Sequence, residues 1–409
     1  MALARFLQVS DLHLGRPFGW LPPEKRDLRR RSQRRVLEGV VREAIERGVD
    51  AILIPGDLFD LEGVDADTLA FALGVFNTTG CPPVFIAPGN HDPFSTTSAY
   101  WDRRLLAARG SAWPAHVHVF TSAQWTSVPL PEHPHVRIWG RCFTARIESL
   151  ERPLAREAMA SITPAAASGF DVAVFHGSRE EQCPPGQKIT APFSDQEVLN
   201  APFAYLAAGH YHAGSRVVAS EGSSAGVRLA YAGSAAALDV SENGLHGALE
   251  VRIEYGYRLP WVEVEFVQLD PHRVFDLTVD VTSAPSAEQV DRRVQKALEN
   301  AGVGEEDMVR VRLRGRLARG VRIARSPELE SRVFHLRIDP RLVRPEYDLD
   351  VYRREAAATT EDRFACTLLD LLDREDDPVQ RGLIESALYY GLDAFRLREV
   401  VPAYEELGE

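Results

Sequence analysis

Five short stretches of this chain carry the side chains best suited to chemistry. They are Asp11-Leu-His13, Gly56-Asp57-Leu-Phe-Asp60, Gly89-Asn90-His91-Asp92, His176-Gly177 and Gly209-His210-Tyr-His212. Each follows a run of mostly apolar residues: Leu3–Val9, Val49–Ile54, Val84–Ala87, Asp171–Phe175 and Tyr205–Ala208. Such runs read as strands, and the polar residues after them as loops at the strands' carboxyl ends, where α/β sheets gather ligands. The two-residue spacing of Asp11 and His13, repeated in His210 and His212, would place each pair on one side of an extended chain.

Asp11, His13, Asp57, Asn90, His176, His210 and His212 together offer more donors than the roughly four a single tetrahedral ion takes. They suit two ions about 3.5–4 Å apart that share one carboxylate. Asp57 is the natural bridge, with Asp11, His13 and His212 completing one ion and Asn90, His176 and His210 the other. Oxygen and imidazole donors without thiolates suit Mn²⁺, Fe²⁺ or Zn²⁺. A site of this kind activates water and neutralises charge on a phosphoryl group. His91 is left over as a candidate to protonate a leaving oxygen, with Asp60 as a carboxylate to orient it. Asp92 reads as a turn residue that bonds nearby backbone.

Around these loops the chain has the composition of a globular protein, with 409 residues, 45% hydrophobic and 26% charged. That length allows two domains. No apolar stretch approaches the roughly 20 residues that span a bilayer, and the N-terminus runs straight into a strand pattern, so a cytoplasmic protein is expected. The net charge of −12 argues against a protein that simply coats nucleic acid, but not against a nuclease. Four scattered cysteines suggest neither a disulfide scaffold nor a zinc knuckle. Strand and helix patterns alternate: helices are expected at 26–47, 65–77 and 286–302, and strand character at 261–282 and 308–323. Arg310, Arg312, Arg314 and Arg316 alternate on that last strand and share a face. They could follow a phosphate backbone or pair with Glu263 and Glu265. Leu383, Ile384, Ala387, Leu388, Leu392 and Phe395 mark an apolar helical face near the C-terminus.

The five stretches, in this order, resemble the motifs of calcineurin-like metallophosphoesterases. The resemblance implies an α/β fold in which two mixed β-sheets form a four-layer α/β/β/α sandwich, with the dinuclear centre at one edge. It implies the ligand roles above and the Asp60–His91 pair. The flanks Gln8-Val-Ser-Asp-Leu-His-Leu-Gly15, Ile54-Pro-Gly-Asp-Leu-Phe-Asp60 and Tyr231-Ala-Gly-Ser234 followed by Glu242 are similar to the SbcD-type DNA-repair exonucleases, in particular their YhaO-like bacterial branch. On that likeness, residues 1–268 form the nuclease domain, 269–340 a small α+β capping domain that binds DNA, and 341–409 a helical tail that docks an SMC-like coiled-coil ATPase. The activity implied is Mn²⁺-dependent hydrolysis of DNA phosphodiesters in repair, as an exonuclease on double-strand ends and an endonuclease on single strands or hairpins. A homodimer through helices near 65–77 and 95–108 is a further expectation. The alternatives are a phosphoesterase for a small diester such as a cyclic nucleotide, and a mainly scaffolding subunit of a repair complex.

Overall fold

The apolar runs are buried on both faces, and their alternation decides what lies on each. In the computed structural model Phe6, Leu53 and Phe85 face one core while Leu7, Ile52, Ile54, Val84 and Ile86 face another. A strand turns successive side chains to opposite faces, so a sheet of such strands needs a layer on each side. The structure describes all residues except 1, 61–63, 99, 146–148, 164, 166–168, 184–188, 220–225, 256–259, 319–320, 324–325, 355–356, 399 and 401–409. It divides into two compact units, residues 1–275 with 306–308, and residues 276–305 with 309–409.

The first unit holds two sheets. One is built from β1 (Ala2–Gln8), β2 (Ala51–Ile54), β3 (Val84–Ile86), β4 (Val117–Val119), β11 (Gly247–Tyr255) and β12 (Trp261–Gln268), in the order β12-β11-β1-β2-β3-β4. The other contains β5 (Thr126–Leu130), β6 (His133–Gly140), β7 (Phe170–His176), β8 (Tyr205–Gly209), β9 (Ser215–Val218) and β10 (Val227–Tyr231), in the order β5-β6-β7-β8-β10-β9. Both mix parallel and antiparallel pairs: β1 runs parallel to β2 and antiparallel to β11, and β10 parallel to β8 and antiparallel to β9.

Between the sheets, Phe6, Leu53 and Phe85 meet Val136, Ile138, Val172, Val174 and Ala207. Outside the first sheet lie α1 (Pro23–Arg47) and α2 (Ala66–Phe76), which contribute Val36, Leu37, Val40, Val41, Ala72 and Phe76. Asp65 caps α2 by accepting from the Thr68 amide. Outside the second sheet, Phe175 packs with Trp125, Phe193, Phe203 and Val198 of the capped helix α4 (Asp195–Asn200). The result is the expected sandwich of two mixed sheets between helical layers. Of the stretch 95–108, expected to be helical, the described residues form α3 (Arg103–Ala108), started by the Asp102 side chain.

The second unit has the sheet β13 (Val274–Asp280), β14 (Met308–Leu317) and β15 (His335–Pro345), whose end residues cross the division between the units. Helix α5 (Ala287–Asn300) buries Val290, Val294 and Leu298. After the one-turn α6 (Pro327–Glu330) come α7 (Asp350–Arg354), α8 (Thr360–Arg374) and α9 (Pro378–Leu397). These last helices share a small core of Tyr347, Tyr352, Ala365, Leu369, Leu388 and Leu392. Of the apolar face expected on α9, Leu388 and Leu392 are buried, whereas Leu383 and Phe395 are exposed. The final stretch of the expected tail, 401–409, lies outside the described residues. No helix among the described residues is long and apolar enough to cross a membrane.

Candidate metal centre

The first two motif loops are joined strand-fashion beyond their strands. The amides of Asp11, His13 and Leu14 donate to the carbonyls of Gly56, Asp57 and Leu58 at 3.2, 2.9 and 2.9 Å, and Asp60 N–H returns to Leu14 at 2.9 Å. The sequence suggested an extended Asp-x-His whose alternation would aim both side chains to one side. The backbone does otherwise: Asp11, His13 and Asp57 sit at φ 51°, 49° and 51°. These are left-handed conformations, strained for non-glycine residues, and such strain collects at functional sites.

Two glycines make the close approach possible. At Gly56 (φ 95°) a Cβ would fall 2.4 Å from His176 Nδ1, and at Gly89 one would fall 2.3 Å from Asp57 Oδ1. The buried Asp92 ties the loops together by accepting from the amides of Gly89 (2.7 Å), Asp57 (3.1 Å) and Phe59 (3.2 Å). That bears out its reading as a turn residue and extends it, since two of its three donors lie on another loop.

The seven candidate ligands converge. Asp11, His13 and His212 present atoms within 4.8 Å of one another, as do Asp11, Asp57 and His176. Asp57 is common ground: its Oδ2 lies 3.6 Å from His13 Nε2 and 3.3 Å from His176 Nε2. His176 Nε2 also faces Asn90 Oδ1 at 2.9 Å, while its Nδ1 donates to the Pro55 carbonyl at 3.0 Å. That bond fixes the tautomer that leaves Nε2 pointing inward. His210 joins through its backbone amide, 3.2 Å from both Asp11 carboxylate oxygens, and its ring packs 5.1 Å from that of His176.

His91 stands beside this group. Its amide donates to Asp57 Oδ1 at 2.9 Å and its ring lies 4.7 Å from His13. Asp60 shares a 4.8 Å cluster with His13 and His91, but its ionic contacts are with His13 Nδ1 at 3.8 Å and Arg16 at 3.7 Å. Nδ1 of His91 is buried with no hydrogen-bond partner among the described residues. The expected Asp60–His91 pair is therefore close in space without being hydrogen-bonded.

Burial and charge set the electrostatics. Burial would lower His176, yet the carboxylates of Asp57 and Asp11 lift it to about 9. Burial likewise opposes ionisation of Asp57, but His176, His13 and His91 hold it well below its ordinary value. Asp11 is raised, by burial above all. His210 falls to about 3 through burial and the neighbouring His176.

Do these residues fit metal ions? Both ring nitrogens of His13 are buried and without hydrogen-bond partners among the described residues. Buried imidazole nitrogens without partners are costly, and a cation would satisfy the one that carries the lone pair. The packed carboxylates of Asp11 and Asp57 call for the same positive charge, and the oxygen and imidazole set is that of borderline and hard divalent ions. The residues fit.

Glu242 enters the sequence reading only as part of a flank and not as a member of the candidate site. Its Oε1 accepts from His212 Nδ1 at 2.7 Å, and its Oε2 accepts from Ser234 Oγ (2.7 Å) and Leu238 N–H (2.9 Å). Burial would raise this carboxyl, but the bond and charge of His212 hold it at about 2. Glu242 thus sets the His212 tautomer and aims Nε2 at the site. Sequence spacing did not single it out, because Glu242 lies 30 positions from His212.

The four arginines that could follow a phosphate backbone or pair with acids lie on β14, and each faces an aspartate. Arg310 meets Asp339 at 3.0 Å, Arg312 meets Asp276 at 3.0 Å, and Arg314 meets Asp280 at 3.9 Å. Arg316 meets Asp393 at 3.3 Å and lies over the Tyr389 ring at 3.9 Å. Glu263 and Glu265, the other possibility, are not on a strand neighbouring β14. Those two belong to β12, where Glu265 accepts from Arg252 and Glu263 from the Trp261 indole. The partners of Arg310, Arg312 and Arg314 sit on the flanking strands β15 and β13, and that of Arg316 on α9, none of which sequence spacing reveals.

The model of the calcineurin-like phosphoesterase family matches residues 4–213, which contain all seven candidate ligands and His91. The chain belongs to that family, and it is a metal-dependent phosphoesterase. Among solved structures, it is 14% identical to the TT1561 protein of Thermus thermophilus, with 65% of this chain and 100% of that one covered and a TM-score of 0.37. A dimetal phosphatase from Danio rerio is similar at 14% identity, covering 65% and 99%, with a TM-score of 0.37. A purple acid phosphatase from yellow lupin is 11% identical over 65% of this chain and 52% of its own, with a TM-score of 0.36. No curated protein matches the chain significantly.

Proposed function

We propose that this phosphoesterase is a nuclease that hydrolyses DNA phosphodiesters in repair, using two divalent ions, with Mn²⁺ the first choice. The observation that carries the reading is Glu242 on His212. The flank that resembles the SbcD-type exonucleases, Tyr231-Ala-Gly-Ser234 with Glu242, positions a ligand of the reaction centre. A second flank residue, Gln8, is also placed by specific contacts. It donates to the Ala208 and Ala230 carbonyls at 3.2 and 2.9 Å and accepts from Tyr205 Oη at 2.5 Å.

When bound, the ions would supply Lewis-acid charge and an activated water. Asp57 would bridge them, with the other six ligands as assigned. The chain's own residues do the rest. His91 offers its half-exposed ring to the leaving oxygen, with Nε2 the nitrogen left to carry the proton because Nδ1 is buried. Burial pulls this imidazole below its ordinary value, while Asp57 and Asp60 push it back up. Asp92 and the joined loops fix where that ring stands.

The partners belong to the same proposal. They are DNA as substrate, an SMC-like ATPase at the C-terminal helices, and a second copy of the chain, in the cytoplasm. One observation favours the second reading, a small phosphodiester such as a cyclic nucleotide: the β14 arginines are neutralised within their own unit. End-labelled linear duplex, single-stranded and hairpin DNA incubated with the purified chain and Mn²⁺, Mg²⁺ or EDTA separates the two. Mn²⁺-dependent degradation that His91→Ala abolishes supports the nuclease. Brisk hydrolysis of bis-(p-nitrophenyl) phosphate with intact DNA, even after the ATPase is added, sinks it in favour of the small diester.

A further inference from the structure

Beside the metal centre lies a cavity of about 270 Å³, lined by Arg141, Phe143, Ser149, Glu151, His176 and Ala191 among others. It shares His176 with the centre. The strand β6 leads into its wall, and that wall is fastened to the loop that carries His91. Phe143 N–H donates to the Pro88 carbonyl at 2.9 Å, Phe94 N–H donates to Phe143 at 2.8 Å, and the Phe143 ring meets His176 edge-on at 5.8 Å.

Arg141 is mostly buried in the wall of this cavity, its side chain 11% exposed. Among the described residues its hydrogen bond goes to Glu151 Oε2 at 3.1 Å, from a side chain 65% exposed. A guanidinium has five N–H donors in a rigid fork that matches a phosphate. One bond to a solvent-exposed carboxylate leaves most of that capacity unused, and Glu151 is held loosely enough to be displaced. Another part of the lining is strained. Ala191 sits at φ 44°, clamped by its amide bond to the Ser149 carbonyl at 2.6 Å. Strain of this kind is kept where a shape is needed. Because His176 turns Nε2 toward Asn90 and Asp57, a phosphate in the cavity would lie beside the candidate metal centre and not in it.

Resting on the phosphodiester reading above, we propose that Arg141 binds a second phosphate of the substrate, adjacent to the one under attack. The enzyme then prefers a chain of phosphodiesters to an isolated one. Glu151 is the anion that this phosphate displaces.

The test compares inorganic phosphate with a 5′-phosphorylated, phosphorothioate-linked thymidine dinucleotide, which carries two phosphates. Each is measured as an inhibitor of bis-(p-nitrophenyl) phosphate hydrolysis. Each is also measured by calorimetry in the Mn²⁺-loaded His91→Ala background, where turnover plays no part. Arg141→Gln should weaken the dinucleotide about tenfold and inorganic phosphate by less than about twofold, the loss of one charge-assisted contact. Glu151→Gln should tighten the dinucleotide about threefold, a gain that structural damage does not give. Equal losses for both anions, no loss for either, or no gain in Glu151→Gln overturns the proposal. So does a parent protein that binds the dinucleotide no tighter than phosphate. A chain that cleaves no DNA yet binds the dinucleotide through Arg141 loses the nuclease reading and keeps this one.

Discussion

Asp57 and His91 meet through one hydrogen bond, from the His91 amide to Asp57 Oδ1. Their side chains nevertheless do different work. The Asp57 carboxylate lies between His13 and His176, so Asp57→Ala should strip the site of metal and activity together. His91 offers only its backbone to that group, so His91→Ala should keep its metal and lose at least about 100-fold in kcat, the usual scale of a lost general acid. Metal content and turnover measured on the same preparations check both. Glu242→Gln should keep the fold while metal affinity falls about 10–100-fold, the usual loss when the partner of a ligand histidine is removed. Titration of the apo protein with Mn²⁺ reads this, and unchanged affinity would refute Glu242 as the residue that aims His212. At this scale the sequence was most legible. The seven candidate ligands stand out because their types are chemically rare at strand ends, and Glu242 was missed because it acts through His212.

The loops are the level at which sequence and structure part. The apolar runs announce β1, β2, β3, β7 and β8, since only buried strands carry such residues without a polar face. Nothing in the spacing announces that Asp11, His13 and Asp57 bend into left-handed conformations, because that strain is sustained by contacts between loops distant in the chain. Gly56→Ala and Gly89→Ala should each disrupt the site although neither glycine offers a ligand atom. The added methyl would collide with His176 in the first and Asp57 in the second. Both variants should bind Mn²⁺ much more weakly while retaining the far-ultraviolet circular dichroism of the parent. Normal metal affinity would show that the loops can move apart at little cost.

Across the whole molecule, the arginines 29–31, 34 and 35 of α1 have two roles. Arg30 and Arg34 are solvated and pair with Asp27 and Asp67, as charge runs usually do. Arg29 is fully buried and forms a two-bond pair with Asp270, while it also donates to the Ala237 carbonyl. Asp270 accepts in addition from the amides of Ala237 and His272. The loop that carries Ser234 and Glu242 is thereby fastened to α1 and to the chain beyond β12. Sequence could not pick Arg29 from its neighbours, since its partner lies 241 positions away. Asp270→Asn leaves a buried guanidinium without its counter-charge and should cost about 3–5 kcal/mol in urea unfolding. Burial would raise Asp270, but Arg29 outweighs it and holds the carboxyl below its ordinary value. A depressed carboxyl stabilises fully above the unfolded value of about 3.9 and loses that contribution as pH falls through the folded value. Parent stability should therefore drop more steeply than that of Asp270→Asn below about pH 4.

The most direct test of the dinuclear centre is metal stoichiometry joined to hydrolysis. Elemental analysis after reconstitution with Mn²⁺ should find two ions per chain in the parent and in His91→Ala, with a dinucleotide, whose alkoxide leaving oxygen needs a proton, cleaved only by the parent. Asp57→Ala should hold neither ion firmly and be inactive. One ion per chain in a fully active parent, or metal lost from His91→Ala, would contradict the assignment of seven ligands to two ions with His91 outside them.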